Sequence, residues 1–153
     1  MILQFKIQLA TVKPPVWRRL VVPANFNFDK FHRVIQAAFG WQGYHLYQFS
    51  PKGYYSYPTI GIPSEDYEEE FMDSKKLKLA KIFDSPGQHF VYLYDFGDDW
   101  VHKITLEVLL ETKSTRAALL VRRKIAAAHM VILICCKSLT RRSILSGLKC
   151  WNG

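Results

Sequence analysis

Residues Trp100–Leu110 (WVHKITLEVLL) alternate side chains with a period of two. Trp100, His102, Ile104, Leu106 and Val108 share one face, and Val101, Lys103, Thr105 and Glu107 share the other. That period belongs to a β-strand and not to a helix. His89–Tyr94 (HFVYLY) just before it is equally strand-like, rich in aromatic and β-branched residues. Between them Asp95-Phe96-Gly97-Asp98-Asp99 reads as a tight turn, with Gly97 the residue expected at positive φ. The segment therefore predicts an antiparallel hairpin, which constrains the rest of the chain to a sheet.

Other segments supply that sheet. In residues 2–9, Ile2, Phe5, Ile7 and Leu9 are apolar among polar neighbours, a half-buried strand with one irregularity at Leu3. Pro14-Pro15 ends it, since proline donates no ladder hydrogen bond. Val16–Val22 (VWRRLVV) follows as a second strand, stopped by Pro23, and the two can pair as a hairpin-like unit. Asn25 or Asn27 is a suitable N-cap for a helix. From there Phe28, Phe31, Val34, Ile35, Ala38 and Phe39 keep helical spacing, and Gly40 supplies the stop. Tyr44–Ser50 and Tyr54–Tyr57 read as aromatic strands joined at Pro51-Lys52-Gly53. Residues 58–76 read as a loop and Leu77–Phe83 as a helical turn. Aromatic residues concentrate in 26–57 and 83–100, so the core belongs there. The fold class is α+β: a mainly antiparallel sheet with one principal amphipathic helix, Asn27–Phe39, packed on one face.

Charge divides the chain unevenly. The net charge is +8, yet every acidic residue lies at or before Glu111. Residues 1–111 hold 12 basic and 13 acidic side chains, whereas residues 112–153 hold nine Lys or Arg and no Asp or Glu. A basic pI ordinarily points to nucleic acid, but here the excess is confined to the C-terminal segment. Two divisions follow: a domain over 1–111, and a basic, acid-free tail over 112–153. In the tail Ala117–Val121 and Ile125–Cys136 are apolar, with a helix the nominal reading. The latter run is too short to span a bilayer. Met1–Ala10 lacks the pattern of a signal peptide. Cysteines at 135, 136 and 150 match neither a zinc spacing nor a secreted disulfide framework. These features predict a cytoplasmic, reduced protein without a membrane partner.

The segment Tyr92–His102 (YLYDFGDDWVH) holds the densest chemistry. Asp95, Asp98, Asp99 and His102 lie within eight residues, and His45 could join them across the fold. Carboxylates with imidazole can hold a divalent metal or perform acid–base work. The same residues also serve as ordinary turn formers, and His102, beyond the turn on the Trp100 face, as a core histidine. His32 sits at the edge of the helix stripe. Trp17, Arg18 and Arg19 form a basic–aromatic element that could contact a nucleic acid. Adjacent strand residues point to opposite faces, however, so the two arginines make no single patch. Glu65–Asp73 is an acidic, solvated loop. No phosphate loop, dinucleotide glycine pattern, zinc-protease helix or nucleophile elbow is present, and no organic cofactor is expected.

Three stretches, FKIQL…KPPVWRRLVVP, FHRVIQAAFGWQGYHLYQF and FVYLYDFGDDWVHKITLE, resemble the plasmid pRiA4b ORF-3-like family, also described as insertion-element passenger proteins of TnpR type. The resemblance covers residues 2–111. His32, Trp41, His45, Asp95, Asp98, Asp99, Trp100 and His102 match motif positions of that family. It implies an α+β domain found on plasmids and mobile elements, without established catalytic residues. The resolvase role is implied by name alone, because no recombinase nucleophile or arginine cluster can be placed here. Residues 112–153 depart from the family pattern where the acids vanish. A shifted reading frame or disrupted gene explains the tail; a divergent basic helix is the alternative. The leading function is a binding or accessory module associated with mobile DNA, its partner DNA or an element-encoded protein. A metal-dependent enzyme with a His/Asp site and a nucleic-acid binder of resolvase-associated type are the alternatives.

Overall fold

Two prolines, Pro14 and Pro15, separate the first two strands. In the computed structural model β1 (Ile2–Leu9) runs antiparallel to β2 (Trp17–Pro23), with Phe5 opposite Leu20. The structure describes residues 1–54, 56–63 and 71–111, and the main chain of 131–133. The helix α1 (Phe28–Phe39) opens at Asn27, whose side-chain oxygen accepts from the Lys30 amide at 2.9 Å. It closes at Gly40 in the left-handed region, φ 75°. Both ends are thus satisfied as the sequence predicts.

The sheet continues with β3 (Tyr47–Ser50), β4 (Ile60–Gly61), β5 (Met72–Asp73), β6 (His89–Tyr94), β7 (Trp100–Leu110) and β8 (Val131–Leu133), in the spatial order β5-β4-β3-β6-β7-β1-β2-β8. Every pairing is antiparallel except β4 with β5. The long β7 bridges β6 and β1, with a register shift opposite Gln4 and Phe5. The predicted hairpin is therefore the centre of the sheet. The α+β class, with its helix packed on one face, is what the structure shows.

Three local expectations change. Residues 54–57 form no strand among those described. The chain instead turns at Ser50, whose hydroxyl donates to the Gly53 carbonyl at 2.6 Å and accepts its amide at 3.1 Å. The partners of β3 are β4 and β6. Within the expected loop 58–76 lie the two-residue strands β4 and β5; such short elements are fixed by distant pairing and leave no periodic signal. Part of the acidic stretch Glu65–Asp73, residues 65–70, lies outside the described residues. So does most of the tail, although Val131–Leu133, inside the run read as helix, pairs as a strand with Arg19–Val21. Leu79–Lys81 forms the expected helical turn, as a 3-10 helix.

The core lies between α1 and one sheet face. Phe5, Phe28, Phe31, Phe49, Phe83 and Tyr92 are fully buried, joined by Leu3, Ile7, Leu20, Ile35, Ile104 and Leu106. Phe5 meets Phe31 and Phe83 at 4.8 Å between ring centroids, and Phe49 meets Tyr92 at 4.7 Å. Each buried ring contributes on the order of 2 kcal/mol of transfer free energy. The aromatic clusters predicted to build the core do so. Among the described residues no helix is long and apolar enough to cross a membrane.

Candidate functional site

At one end of the sheet the β6–β7 turn meets the start of β3. The Asp95 amide donates to the Leu46 carbonyl at 3.0 Å, and the Asp99 amide closes the turn onto the Asp95 carbonyl at 2.8 Å. Positive φ occurs at Asp95 (61°) and Asp99 (52°), and Gly97 does not take it as expected. Aspartate tolerates the left-handed region because its carboxylate can bond the local backbone. Here Asp95 Oδ1 accepts from the Gly97 amide at 3.1 Å. A Cβ on Gly97 would sit 3.4 Å from that same oxygen, so the glycine provides clearance.

The other Asp95 oxygen, Oδ2, lies 3.5 Å from His45 Nδ1. The His45 side chain is 55% exposed, so the carboxylate orients an imidazole whose far edge faces outward. The Tyr54 hydroxyl donates to Asp99 Oδ1, and the Tyr54 ring packs edge-on against Phe96 at 6.0 Å. Asp98 is exposed. Tyr54 and His45 thus reach the turn with their side chains, and Tyr44 (81% exposed) and Leu46, the chain neighbours of His45, are exposed. Behind them Trp41 packs between Trp100 (4.9 Å) and Tyr94 (5.5 Å), with its Nε1 buried and without a hydrogen-bond partner.

His102 does not join this end. It is fully buried, edge-on to Phe39 at 5.0 Å and tilted against Tyr92 at 5.1 Å. Its Nδ1 donates to the Trp100 carbonyl at 2.8 Å, while Nε2 lacks a hydrogen bond of normal geometry. Burial pushes its pKa down to about 4, against the opposing effect of the neighbouring main-chain groups. It is a neutral core imidazole. The structure thus brings together His45 and Asp95 and leaves His102 in the core. Among the described residues no three His, Cys, Asp or Glu side chains converge to hold a metal ion.

Trp17, Arg18 and Arg19 are each engaged. Arg18 lies on the helix side, where Nε donates to the Ala38 carbonyl at 3.0 Å and the guanidinium covers Phe39 at 5.3 Å. It satisfies the end of α1, where a cation is favoured. Arg19 lies on the opposite face in a two-bond pair with Glu107, at 2.6 and 3.0 Å. That pairing holds the Glu107 carboxyl below the usual range. Trp17 is half-buried beneath Arg19 and Lys6. The arginines point to opposite faces, as strand geometry predicts.

A further polar cluster lies inside the fold. His32 Nδ1 and Gln36 Nε2 both reach the Tyr92 hydroxyl at 2.8 Å. With Gln36 donating, the hydroxyl proton goes to His32 Nδ1, which satisfies the hydroxyl, the ring nitrogen and the amide Nε2, while Gln36 Oε1 stays buried without a partner. Burial pushes His32 down to about 4 and raises the Tyr92 phenol well above its usual range. Two polar residues at i and i+4 beside the helix's apolar stripe were the available signal for such a cluster.

A family model described as "Plasmid pRiA4b ORF-3-like protein" matches residues 1–129. The match continues past Glu111, so the similarity does not stop at the charge break. The chain is 34% identical over 120 residues to "Uncharacterized protein y4hQ" of Sinorhizobium fredii, covering 78% of this chain and 60% of that protein. It also resembles the crystal structure of "Protein of Unknown Function MM3350" from Methanosarcina mazei Go1, with a TM-score of 0.63 and 31% identity, covering 75% of this chain and 65% of that one. The chain thus spans less than two thirds of either relative's length.

Proposed function

The chain belongs to the plasmid pRiA4b ORF-3-like family, and on that premise we propose that it is a binding module that recognises a basic protein segment at the β6–β7 turn. One observation carries this reading. Asp95, Asp98 and Asp99 lie in one five-residue turn that exposed Tyr54 and His45 reach, with exposed Tyr44 and Leu46 flanking His45 in sequence, and among the described residues the turn's only ion pair is with His45. Carboxylates beside accessible aromatic faces suit lysine and arginine side chains, through charge and cation–π contact. They disfavour a phosphate backbone. Of the two partners implied by a mobile-element setting, this surface therefore favours a basic element-encoded protein over DNA. The accessory role and the mobile-element setting are parts of the same proposal and rest on the family resemblance.

The test is titration of the full chain with an arginine-rich peptide and with a glutamate-rich control. The arginine-rich peptide is expected to bind, and Asp98→Asn with Asp99→Asn to weaken it about tenfold, the scale of one to two charge-assisted contacts. Equal binding by that double variant, or equal binding of the two peptides, would overturn the reading.

A further inference from the structure

The sheet face opposite α1 carries a second kind of surface. Strand register assembles it from two adjacent cross-strand rows. One row runs His89, Thr105, Lys6, Arg19, and the next runs Val91, Lys103, Gln8, Trp17. A cleft of about 300 Å³ opens between these rows, lined by Lys6, Gln8, Pro51, His89, Lys103 and Thr105. No acidic side chain lines it. Across β1, β2, β6 and β7 the one acidic residue is Glu107. Its two oxygens are already held by Arg19, and Gln4 adds a third bond at 3.0 Å. Lys6 lies over the Trp17 ring and Lys103 is exposed; among the described residues neither forms a close ion pair, and the Lys6 charge reaches only the Glu107 carboxylate that Arg19 already holds.

We propose that this cleft binds a phosphorylated small molecule, with Lys6 and Lys103 closing on the phosphate from neighbouring rows. A phosphate monoester carries close to two negative charges near neutral pH and accepts several hydrogen bonds. Two ammonium groups, the Thr105 hydroxyl and the Gln8 amide are matching donors. Pro51 and Val91 form an apolar wall for the organic part. The cleft volume lies at the lower end for small-molecule sites, which fits a compact ligand. This site is separate from the acidic turn and does not depend on what that turn binds.

Calorimetric titration of the full chain with AMP, inorganic phosphate and a thymidine oligonucleotide tests the assignment. AMP should bind at a single site and more tightly than inorganic phosphate. Lys6→Ala and Lys103→Ala should each weaken AMP about tenfold, with unchanged melting temperature, while Lys30→Ala on the helix leaves it unaltered. Replacing both lysines by arginine should retain most of the affinity. Unchanged AMP binding in both alanine variants would overturn the proposal, since the anion would then be held elsewhere, for example by the basic C-terminal segment. Equal affinity for AMP and inorganic phosphate would reduce the cleft to a bare anion site and overturn it as well. Oligonucleotide binding that AMP cannot displace would make the face a nucleic-acid surface instead.

Discussion

The imidazole of His32 lies flat on the Tyr47 ring, with centroids 3.7 Å apart and planes 8° from parallel. Burial favours the uncharged ring, which is why its pKa falls to about 4; the Asp29 carboxylate opposes the shift and the Arg33 charge adds to it. His102, buried between Phe39 and Tyr92, falls to the same value. Both titrate near 6.5 when unfolded. Above that pH both states are neutral and nothing is lost. Between about 6.5 and 4 only the unfolded chain takes up these protons, so stability falls as pH falls through that window. Each histidine contributes roughly 3 kcal/mol of this loss. Urea unfolding at pH 7.5 and 4.5 measures it. His32→Phe should remove about half of the pH dependence; an unchanged dependence would mean that His32 titrates normally in the fold.

Tyr92→Phe isolates the hydroxyl of the same cluster. The ring remains, but His32 Nδ1 and Gln36 Nε2 lose their shared partner inside the core. Leaving buried polar groups unsatisfied costs about 1–3 kcal/mol. The expected result is a loss near 2 kcal/mol in chemical denaturation. A change under about 0.5 kcal/mol would show that water or side-chain rearrangement replaces the hydroxyl.

Gly61 predicts a packing defect. A Cβ there would sit 2.8 Å from Phe71 Cδ1 and 3.0 Å from the Tyr47 carbonyl oxygen. The phenyl ring can move, but the carbonyl belongs to β3, so β4 would be pushed from its partner. Gly61→Ala should destabilise by about 1–3 kcal/mol, as overpacking does. Tyr47 and Ser74, joined at 2.9 Å across this junction, should show the displacement in amide shifts.

What could be read in advance divides by range of interaction. The Trp100–Leu110 alternation and the Phe28–Phe39 stripe are local, and both elements formed. Opposite orientation of Arg18 and Arg19 followed from strand geometry, but their partners did not. Ala38 and Glu107 are distant in sequence, and residue types do not specify which carboxylate a given arginine meets. The strands β4 and β5 exist through pairing with β3 and with each other, so a two-residue window carries no trace of them. At the candidate site Asp95 and His45 could be nominated together, whereas the fate of His102 depended on whether Phe39 and Tyr92 would enclose it. The family match to residue 129 also moves any departure of the C-terminal segment beyond Glu111. We retain the reading-frame explanation as a proposal for the acid-free segment, and translating the gene's alternative frames tests it: no family-like continuation in either would sink it.

Metal addition separates two roles for the turn. His45 and Asp95 offer one imidazole and one carboxylate, and a carboxylate used to orient a histidine differs from a shared ligand. Zinc, manganese or magnesium should shift the melting temperature by less than about 1 °C, and a chelator should leave it unchanged. Stabilisation that grows with ion concentration, and disappears in His45→Ala, would make this a metal site.

Asp95 offers the most selective perturbation, because conformation and charge can be changed separately. Its positive φ disfavours residues other than glycine, asparagine and aspartate, and its carboxylate holds the Gly97 amide. Asp95→Asn keeps the left-handed preference and an acceptor oxygen but removes the charge. Asp95→Ala removes all three and should cost about 1–2 kcal/mol from backbone strain and the lost bond. The asparagine variant should unfold within about 0.5 kcal/mol of the parent chain, yet bind an arginine-rich peptide several-fold more weakly. If it instead loses stability as alanine does, the His45–Asp95 charge supports the fold. If it keeps full peptide affinity, the carboxylate serves the turn and the basic partner binds elsewhere.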